Sequence, residues 1–154
     1  MVGIIGGADG PTAVYLDINI GLLALAIVIA YFIGCISPSI MLAKARGIDI
    51  KKEGSGNAGT TNALRVMGKK AGVITLIVDI LKGVIAVLIG NLIAGPAGGM
   101  CAAVAAFCGH VWPVFYKFKG GKGVATAFGA LLGIDVPMAL ICLLIVVIAV
   151  VLSK

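Results

Sequence analysis

Long apolar runs separated by short charged segments dominate the chain. Residues 18–43 contain no charged side chain, and residues 71–93 contain only two. Each run exceeds the roughly 20 residues that an α-helix needs to cross a bilayer. Residues 97–115, which are rich in alanine and glycine, and residues 136–152 form two further apolar runs. The pattern therefore predicts four transmembrane helices.

Glycine and proline mark the interruptions of these runs. Gly34 and Pro38 lie near the end of the first run, so its last turns are expected to be broken or kinked. Gly95-Pro96 predicts a turn between the second and third runs. Residues 124–132 are apolar but too short to cross, which favours an interfacial or re-entrant helix. The predicted class is all-α: a polytopic integral membrane protein with about four transmembrane helices and this one short helix.

Composition and charge support that class. The 154 residues are 61% hydrophobic and 12% charged, whereas a soluble domain carries about 25% charged residues. The net charge of +6 is concentrated in two basic loops, residues 44–70 and 117–122, between apolar runs. This placement fits a membrane surface, so no nucleic-acid partner is expected. Two predicted helices separate the loops, which places both on one side, expected to be the cytoplasm.

A glycine-rich segment in the first basic loop is suited to bind an anion. Residues 54–62 read Gly-Ser-Gly-Asn-Ala-Gly-Thr-Thr-Asn. Glycines let backbone N–H groups converge on an anion, and hydroxyl and amide side chains add donors. A helix beginning near Thr60 or Thr61 would direct its N-terminal dipole at the same ligand, and Arg65 could grip a phosphate. The candidate binding residues are Gly54, Ser55, Gly56, Asn57, Gly59, Thr60, Asn62 and Arg65.

Residues 54–62 have two other interpretations. A flexible loop without a ligand would have a similar composition. The spacing of Gly54, Gly56 and Gly59 also matches G-x-G-x-x-G, but a dinucleotide site needs a preceding strand and a βαβ unit. A charged loop precedes this segment and an apolar run follows it, so the dinucleotide interpretation is rejected.

The second basic loop carries another candidate anion site. Residues 118–123 read Phe-Lys-Gly-Gly-Lys-Gly, and the central glycine pair would let the backbone bend while both ammonium groups face a ligand. A Walker motif is excluded because Gly123 stands where serine or threonine is required. A basic membrane-surface hinge anchored by Trp112 is the alternative. The candidate residues are Lys119, Gly120, Gly121 and Lys122.

Three ionisable residues lie within or beside the apolar runs. A charge at the bilayer centre costs about 2.5–3.5 kcal/mol on the insertion scale, so Asp79 and Lys82 suggest a function. Their spacing places them on one helix face, where they could neutralise each other or help to place the loop lysines. His110 is the single histidine and the candidate base, although a lone histidine is more often a structural hydrogen-bonding residue.

Several of these motifs resemble one enzyme family. Residues 47–50 and 54–62 closely resemble segments of the acyl-phosphate:glycerol-3-phosphate acyltransferases of bacterial membranes. So do residues 79–83, and residues 109–126, which include Gly-His, Pro-Val-Phe and Phe-Lys-Gly-Gly-Lys-Gly-Val-Ala-Thr. The motifs follow one another in the family's order, from about Tyr31 to the end of the chain.

The resemblance implies transfer of a fatty acyl group from acyl phosphate to the sn-1 hydroxyl of glycerol 3-phosphate. The products would be lysophosphatidic acid and phosphate, in the first step of phospholipid biosynthesis in the bacterial plasma membrane. The family's glycine-rich loop is held to bind glycerol 3-phosphate, which agrees with the interpretation of residues 54–62. Phosphate is a good leaving group, so no metal or cofactor is expected. Lys119 and Lys122 are the candidates for stabilising the carbonyl and the leaving phosphate.

The sequence departs from the family pattern in three places. The family has Gly-Ser-Ile-Pro with a functional serine where residues 34–38 read Gly-Cys-Ile-Ser-Pro, so Ser37 is the candidate substitute. The family's arginine before the glycine-rich loop becomes Lys51 or Lys52, and Lys52 is taken as the candidate. The chain ends at Lys154, before further spans and a C-terminal His/Asn/Glu stretch of the family. We therefore expect weak binding and poor turnover, unless a second chain completes the site.

Residues 3–15 resemble a different protein. They are similar to an intramembrane segment of the β subunit of sodium-pumping decarboxylases, whose aspartate handles sodium and corresponds to Asp9. A fused or misassigned start would explain this match. A sodium-pump-related subunit and a truncated non-catalytic membrane protein are the alternative functions. Residues 1–17 are predicted to be an external N-terminal extension, and residues 18–154 an acyltransferase-like membrane domain.

Overall fold

The computed structural model describes residues 2–5, 14–17 and 19–153. Its helices are α1 (Ile20–Gly34), α2 (Pro38–Lys44), α3 (Thr60–Met67), α4 (Lys69–Val111), α5 (Val124–Ile134) and α6 (Val136–Leu152), with a 3-10 turn at Val114–Tyr116. Two short antiparallel strands, β1 (Val2–Ile5) and β2 (Val14–Asp17), precede the helices. The predicted all-α class is confirmed, and the strand pair lies within the predicted N-terminal extension. Asp9 of the sodium hypothesis lies outside the described residues.

The first apolar run is divided into two helices. The Asn19 side chain caps α1 by accepting a hydrogen bond from the Leu22 N–H at 3.2 Å. The helix ends at Gly34, and Pro38 opens α2, because proline fits the first helical turn, where no N–H partner is needed. The predicted break is confirmed. Together the two helices form an apolar element, Ile20–Lys44, long enough to cross a membrane.

The long helix α4 consists of two antiparallel arms, residues 69–93 and 96–111. Gly95 leaves the helical conformation with a φ of 63°, a left-handed value that glycine adopts without strain. Gly98 then returns alongside Gly90, so closely that a Cβ added to Gly90 would lie 2.5 Å from the Gly98 carbonyl oxygen. The predicted turn at this point is confirmed. The helix ends at Val111, four residues before the end of the predicted third run.

Small residues bring α1 against both arms of α4. Gly34 lies against the backbone of Ala106, and Gly109 lies against the carbonyl oxygen of Tyr31, so neither glycine has room for a Cβ. Such close packing drives membrane helices together, since lipid is as apolar as the side chains. The buried alanines of this contact are Ala30, Ala86, Ala102, Ala105 and Ala106.

The last two helices follow the apolar pattern closely. The helix α5 extends two residues beyond its predicted end and packs on the first arm of α4, where Gly129 lies against Ile80. The helix α6 has its predicted bounds, and apart from the buried Ala139 its side chains are exposed. Both are apolar but shorter than the two elements long enough to cross a membrane, Ile20–Lys44 and Lys69–Tyr116.

Candidate active site

The two basic loops meet at one end of the helices. Lys51 Nζ donates a hydrogen bond to the Tyr116 carbonyl oxygen at 2.9 Å. Gly121 approaches the other loop so closely that an added Cβ would lie 2.7 Å from the Ala58 carbonyl oxygen. The two basic loops are therefore in contact with each other. This agrees with the prediction that both lie on the same side of the membrane.

Asn62, at the start of α3, holds the glycine-rich loop in shape. Its Oδ1 accepts from the Ser55 N–H at 2.9 Å, and its Nδ2 donates to the carbonyl oxygens of Ile50 and Glu53 at 3.2 and 3.0 Å. Gly54 lies against the same Oδ1 with a φ of 58°, so a side chain there would clash and strain the backbone. Asn62 is 1% exposed, and the structure places it inside the loop as an organiser.

A cavity of about 450 Å³ lies between the glycine-rich loop, the first arm of α4 and α5. The helix α3 begins at Thr60 as predicted, and Thr61 lines the cavity beside it. Apolar residues line the cavity as well: Leu76, Ile80, Val124, Phe128 and Leu143. The predicted site residues that line the cavity are Asn57, Gly59, Thr60, His110 and Lys122. Polar and apolar surfaces thus share one space.

Three predicted cationic residues do not line this cavity. Arg65 and Lys119 are exposed, and the exposed side chain of Lys52 lies 3.8 Å from Asp49 Oδ2 in a surface ion pair. Lys51, not Lys52, is tied into the fold. Burial lowers the pKa of Lys51, Asp49 opposes that shift, and the nearby ammonium of Lys119 adds to it. The binding roles predicted for Lys52, Arg65 and Lys119 stay predictions.

The end of α1 contributes no cavity-lining residue. Ser37 is the N-cap residue of α2, and its Oγ lies 3.3 Å from Ser39 Oγ, both buried. Cys35, which occupies the place of the family's serine, is also buried and is a free thiol. The catalytic role predicted for Ser37 stays a prediction.

Gly120 and Gly121 press the second basic loop onto the end of α4. Their N–H groups donate to the carbonyl oxygens of Val111 and His110 at 3.0 and 3.2 Å. An added Cβ would overlap the His110 carbonyl oxygen from Gly120 and the His110 Nε2 atom from Gly121. Close packing on His110 accounts for both glycines, and their role in ligand binding stays a prediction. Gly123 lines the cavity with a φ of 77°.

A buried ionic network lies beneath the cavity. Lys82 Nζ is 2.7 Å from Asp79 Oδ1 and 2.7 Å from His110 Nδ1, and it donates to the Ile36 carbonyl oxygen at 2.6 Å. Asp79 Oδ1 also lies 3.4 Å from His110 Nδ1. The side chains of all three ionisable residues are at most 4% exposed. The predicted pairing of Asp79 with Lys82 is confirmed, and the pair's further contacts are with His110 and with Ile36 between α1 and α2, instead of with the loop lysines. Asp79 itself lines the cavity.

Fold and site together define a helical membrane protein with a cavity at one end, between two basic loops, that polar and apolar residues line together. The chain matches the family described as glycerol-3-phosphate acyltransferase over residues 24–154. It is 52% identical over 131 residues to the glycerol-3-phosphate acyltransferase of Thermoanaerobacter pseudethanolicus, covering 84% of this chain and 66% of that protein. The Clostridioides difficile enzyme of the same name is 45% identical over 134 residues, covering 82% and 66%. The chain belongs to the glycerol-3-phosphate acyltransferase family.

Two solved structures share the fold. PlsY (YgiH), an integral membrane glycerol 3-phosphate acyltransferase, in its glycerol 3-phosphate form has 39% sequence identity and a TM-score of 0.74, over 79% of this chain and 62% of that one. Its lysophosphatidic acid form gives a TM-score of 0.71 over 79% and 61%. The chain thus spans about two thirds of the length of its relatives, and its membrane class is confirmed.

Proposed function

We propose that this chain transfers a fatty acyl group from acyl phosphate to the sn-1 hydroxyl of glycerol 3-phosphate, giving lysophosphatidic acid and phosphate. This would be the first step of phospholipid biosynthesis. Membership of the family supports the proposal. The observation that carries it is the cavity beside α3, because phosphate-binding groups and apolar residues line the same space.

The polar residues of the cavity suit a phosphate. Thr60 opens α3, so the first N–H groups of that helix, which have no intrahelical partner, lie at the cavity. Asn57 adds an amide, and Lys122 adds a positive charge from the other loop. Backbone donors and one ammonium on the same cavity favour a doubly charged phosphate monoester such as glycerol 3-phosphate.

The apolar residues of the cavity suit the acyl chain of the donor. Phe128 and Val124 belong to α5, and Leu76 belongs to the first arm of α4. A fatty chain lying between these helices would keep its apolar surface out of water while its acyl phosphate group reaches the loops. An amphiphilic donor therefore fits this cavity better than a wholly polar one.

The reaction exchanges one ester-type bond for another. The glycerol oxygen would form a bond to the carbonyl carbon, the bond from that carbon to the phosphate oxygen would break, and the hydroxyl proton would leave with the phosphate product. Negative charge develops on the carbonyl oxygen and on the leaving phosphate. Lys122 and His110 line the same cavity and would stabilise that charge.

We also infer a bacterial plasma membrane location, with both basic loops in the cytoplasm. The support is that these loops meet at one end of the helices and carry most of the chain's excess of lysine and arginine. Several membrane crossings follow if α1, the two arms of α4 and α6 each span the bilayer. Both substrates would then reach the cavity from the side where they are made.

The direct test is an assay of the purified chain in lipid vesicles, supplied with acyl phosphate with and without glycerol 3-phosphate. We expect lysophosphatidic acid and phosphate in equal amounts, and only when both substrates are present. Lys122→Met should lower kcat by about 10²-fold or more, the usual effect of removing one charge-stabilising group. Lys69→Met, an exposed change at the start of α4, is the matched control. Phosphate release without lysophosphatidic acid, at the same rate in both mixtures, would overturn the proposal.

A further inference from the structure

The contacts of Lys82 determine which nitrogen of His110 carries the ring proton. Lys82 Nζ forms an ion pair with Asp79 Oδ1 at 2.7 Å, which favours the charged ammonium at this buried position. An ammonium has three donors and no acceptor. When Lys82 is charged, the 2.7 Å hydrogen bond between its Nζ and His110 Nδ1 therefore runs from lysine to histidine.

The direction of that bond selects one tautomer of His110. Nδ1 accepts, so it has a free lone pair, and the single proton of a neutral imidazole sits on Nε2. A second proton on Nδ1 would set an N–H group against the Lys82 ammonium, with two positive groups 2.7 Å apart. The same contacts that bury the lysine thus make Nε2 a donor.

The donor atom faces the candidate site. His110 is buried and lines the cavity. Its Nε2 lies beside Gly121, whose missing side chain leaves the atom uncovered. Within residues 19–153 Nε2 has no hydrogen-bond partner, whereas Nδ1 has one. An N–H donor that the fold leaves uncovered beside a cavity is placed to bind an acceptor on a ligand.

We propose that His110 donates an Nε2–H hydrogen bond to a substrate oxygen instead of acting as the general base, and that Lys82 is the positioning residue that imposes this role. The proposal deepens the proposed function and rests on it. The oxygens that gain negative charge in acyl transfer are the carbonyl oxygen and the leaving phosphate oxygens. A neutral His110 ring with its proton fixed on Nε2 can stabilise either of these oxygens by a hydrogen bond, without gaining or losing a proton.

Asp79 and Ile36 complete the arrangement. The carboxylate neutralises Lys82, and the Ile36 carbonyl oxygen accepts its remaining hydrogen bond at 2.6 Å. The Ile36 carbonyl oxygen and His110 Nδ1 are the hydrogen-bond partners of the ammonium, and Asp79 Oδ1 contributes the opposite charge at 2.7 Å. With all three in place, the lysine cannot turn away from His110 without losing a buried contact.

The first experiment measures the tautomer without any substrate. Nitrogen-15 spectra of the histidine-labelled chain in lipid contain one imidazole, because His110 is the single histidine. We expect a protonated Nε2 and an unprotonated Nδ1 at neutral pH. Lys82→Met should increase the Nδ1–H form, since Asp79 Oδ1, 3.4 Å away, then becomes the acceptor. A wild-type ring protonated at Nδ1, alone or at both nitrogens, would overturn the proposal whatever the activity.

The second experiment separates a donor from a base. Glutamine places its amide N–H near the position of Nε2 but cannot remove a proton, whereas alanine offers neither. We expect His110→Gln to keep kcat within about 10-fold of wild type and His110→Ala to lower it about 10²–10³-fold, as for loss of one transition-state donor. Equal losses in both variants, with both folded, would show that proton removal is the role. If wild type itself forms no lysophosphatidic acid, the proposed function fails, and the tautomer result still stands.

Discussion

Gly34 of α1 lies against the backbone of Ala106 in the second arm of α4, with no space for a side chain between them. One turn further along that arm, Gly109 makes the same kind of contact with the Tyr31 carbonyl oxygen. These contacts bring the end of α1 to within hydrogen-bonding distance of the buried ionic network, where Lys82 binds the Ile36 carbonyl oxygen. Helix packing and site geometry are therefore coupled.

Gly34→Ala should destabilise the protein by about 1–3 kcal/mol, the usual cost of overpacking a close contact. The added methyl group would meet the Ala106 backbone, which cannot move without shifting the arm. Unfolding in mixed micelles measures the change. Gly21→Ala is the control, because Gly21 is exposed and only the Asn19 side chain lies near it. Equal stability of the two variants would contradict the close contact.

The ion pair of Asp79 and Lys82 should behave as a unit. Asp79→Asn leaves a buried ammonium without its counter-charge, and Lys82→Met leaves a buried carboxylate, so each should cost about 3–5 kcal/mol. The double variant removes both charges and should cost less than either single change. The exposed pair of Asp49 and Lys52, 3.8 Å apart, provides the control cycle with an expected coupling of about 0–1 kcal/mol. Additive losses at the buried pair would contradict this prediction.

Changes in the glycine-rich loop should affect glycerol 3-phosphate more than acyl phosphate. Gly56→Ala forces a side chain into a backbone with a φ of 69°, and its Cβ would lie 3.0 Å from the Lys51 carbonyl oxygen. Asn62→Ala removes three hydrogen bonds that hold the loop. We expect either change to raise the KM for glycerol 3-phosphate about 10-fold or more, by disordering the loop's donors. Steady-state kinetics with each substrate varied in turn measures the two KM values. An unchanged KM for glycerol 3-phosphate in both variants would show that the loop is not part of its binding site.

Both basic loops should be inaccessible from outside the cell. Cysteines placed at the exposed positions of Lys52 and Lys119 should react with an impermeant thiol reagent only after the membrane is opened. Pro96→Cys, exposed at the turn between the arms of α4, should react in intact cells. The wild-type chain, with its four native cysteines, sets the background. Labelling of either loop from outside would reverse the inferred orientation.

Local signals predicted the helices well. The break before Pro38, the turn at Gly95 and the bounds of α6 follow from apolar length and from residues that restrict the backbone. These properties belong to short segments, so they can be read without knowing the tertiary structure. The strand pair formed by residues 2–5 and 14–17 lacked such a signal, because its strands are only four residues long.

The site was predicted less completely, because its contacts join distant segments. Composition identified two basic loops, but it could not show that Lys122 lines the cavity and Lys119 does not. Asn62 looks like a ligand-binding amide in the sequence, and only the fold shows its hydrogen bonds to the loop. Lys82 and His110 lie in different arms of α4, and their contact depends on how the arms pack. The hydrophobic periodicity of the sequence gives no information about that contact.

The break between α1 and α2 has a chemical consequence as well as a geometric one. A continuous helix would use the Ile36 carbonyl oxygen within its own hydrogen-bond ladder. The Pro38 ring disfavours a helical conformation of the preceding residue, and Ser37 is extended, with φ −117° and ψ 94°. The oxygen is left to accept from Lys82 at 2.6 Å. The proline that divides the first apolar run thereby supplies the acceptor that lets a charged amine exist among apolar helices. If α1 and α2 formed one straight helix, Lys82 would lose the Ile36 carbonyl oxygen as an acceptor. The constraint that Lys82 places on the His110 ring would be lost with it.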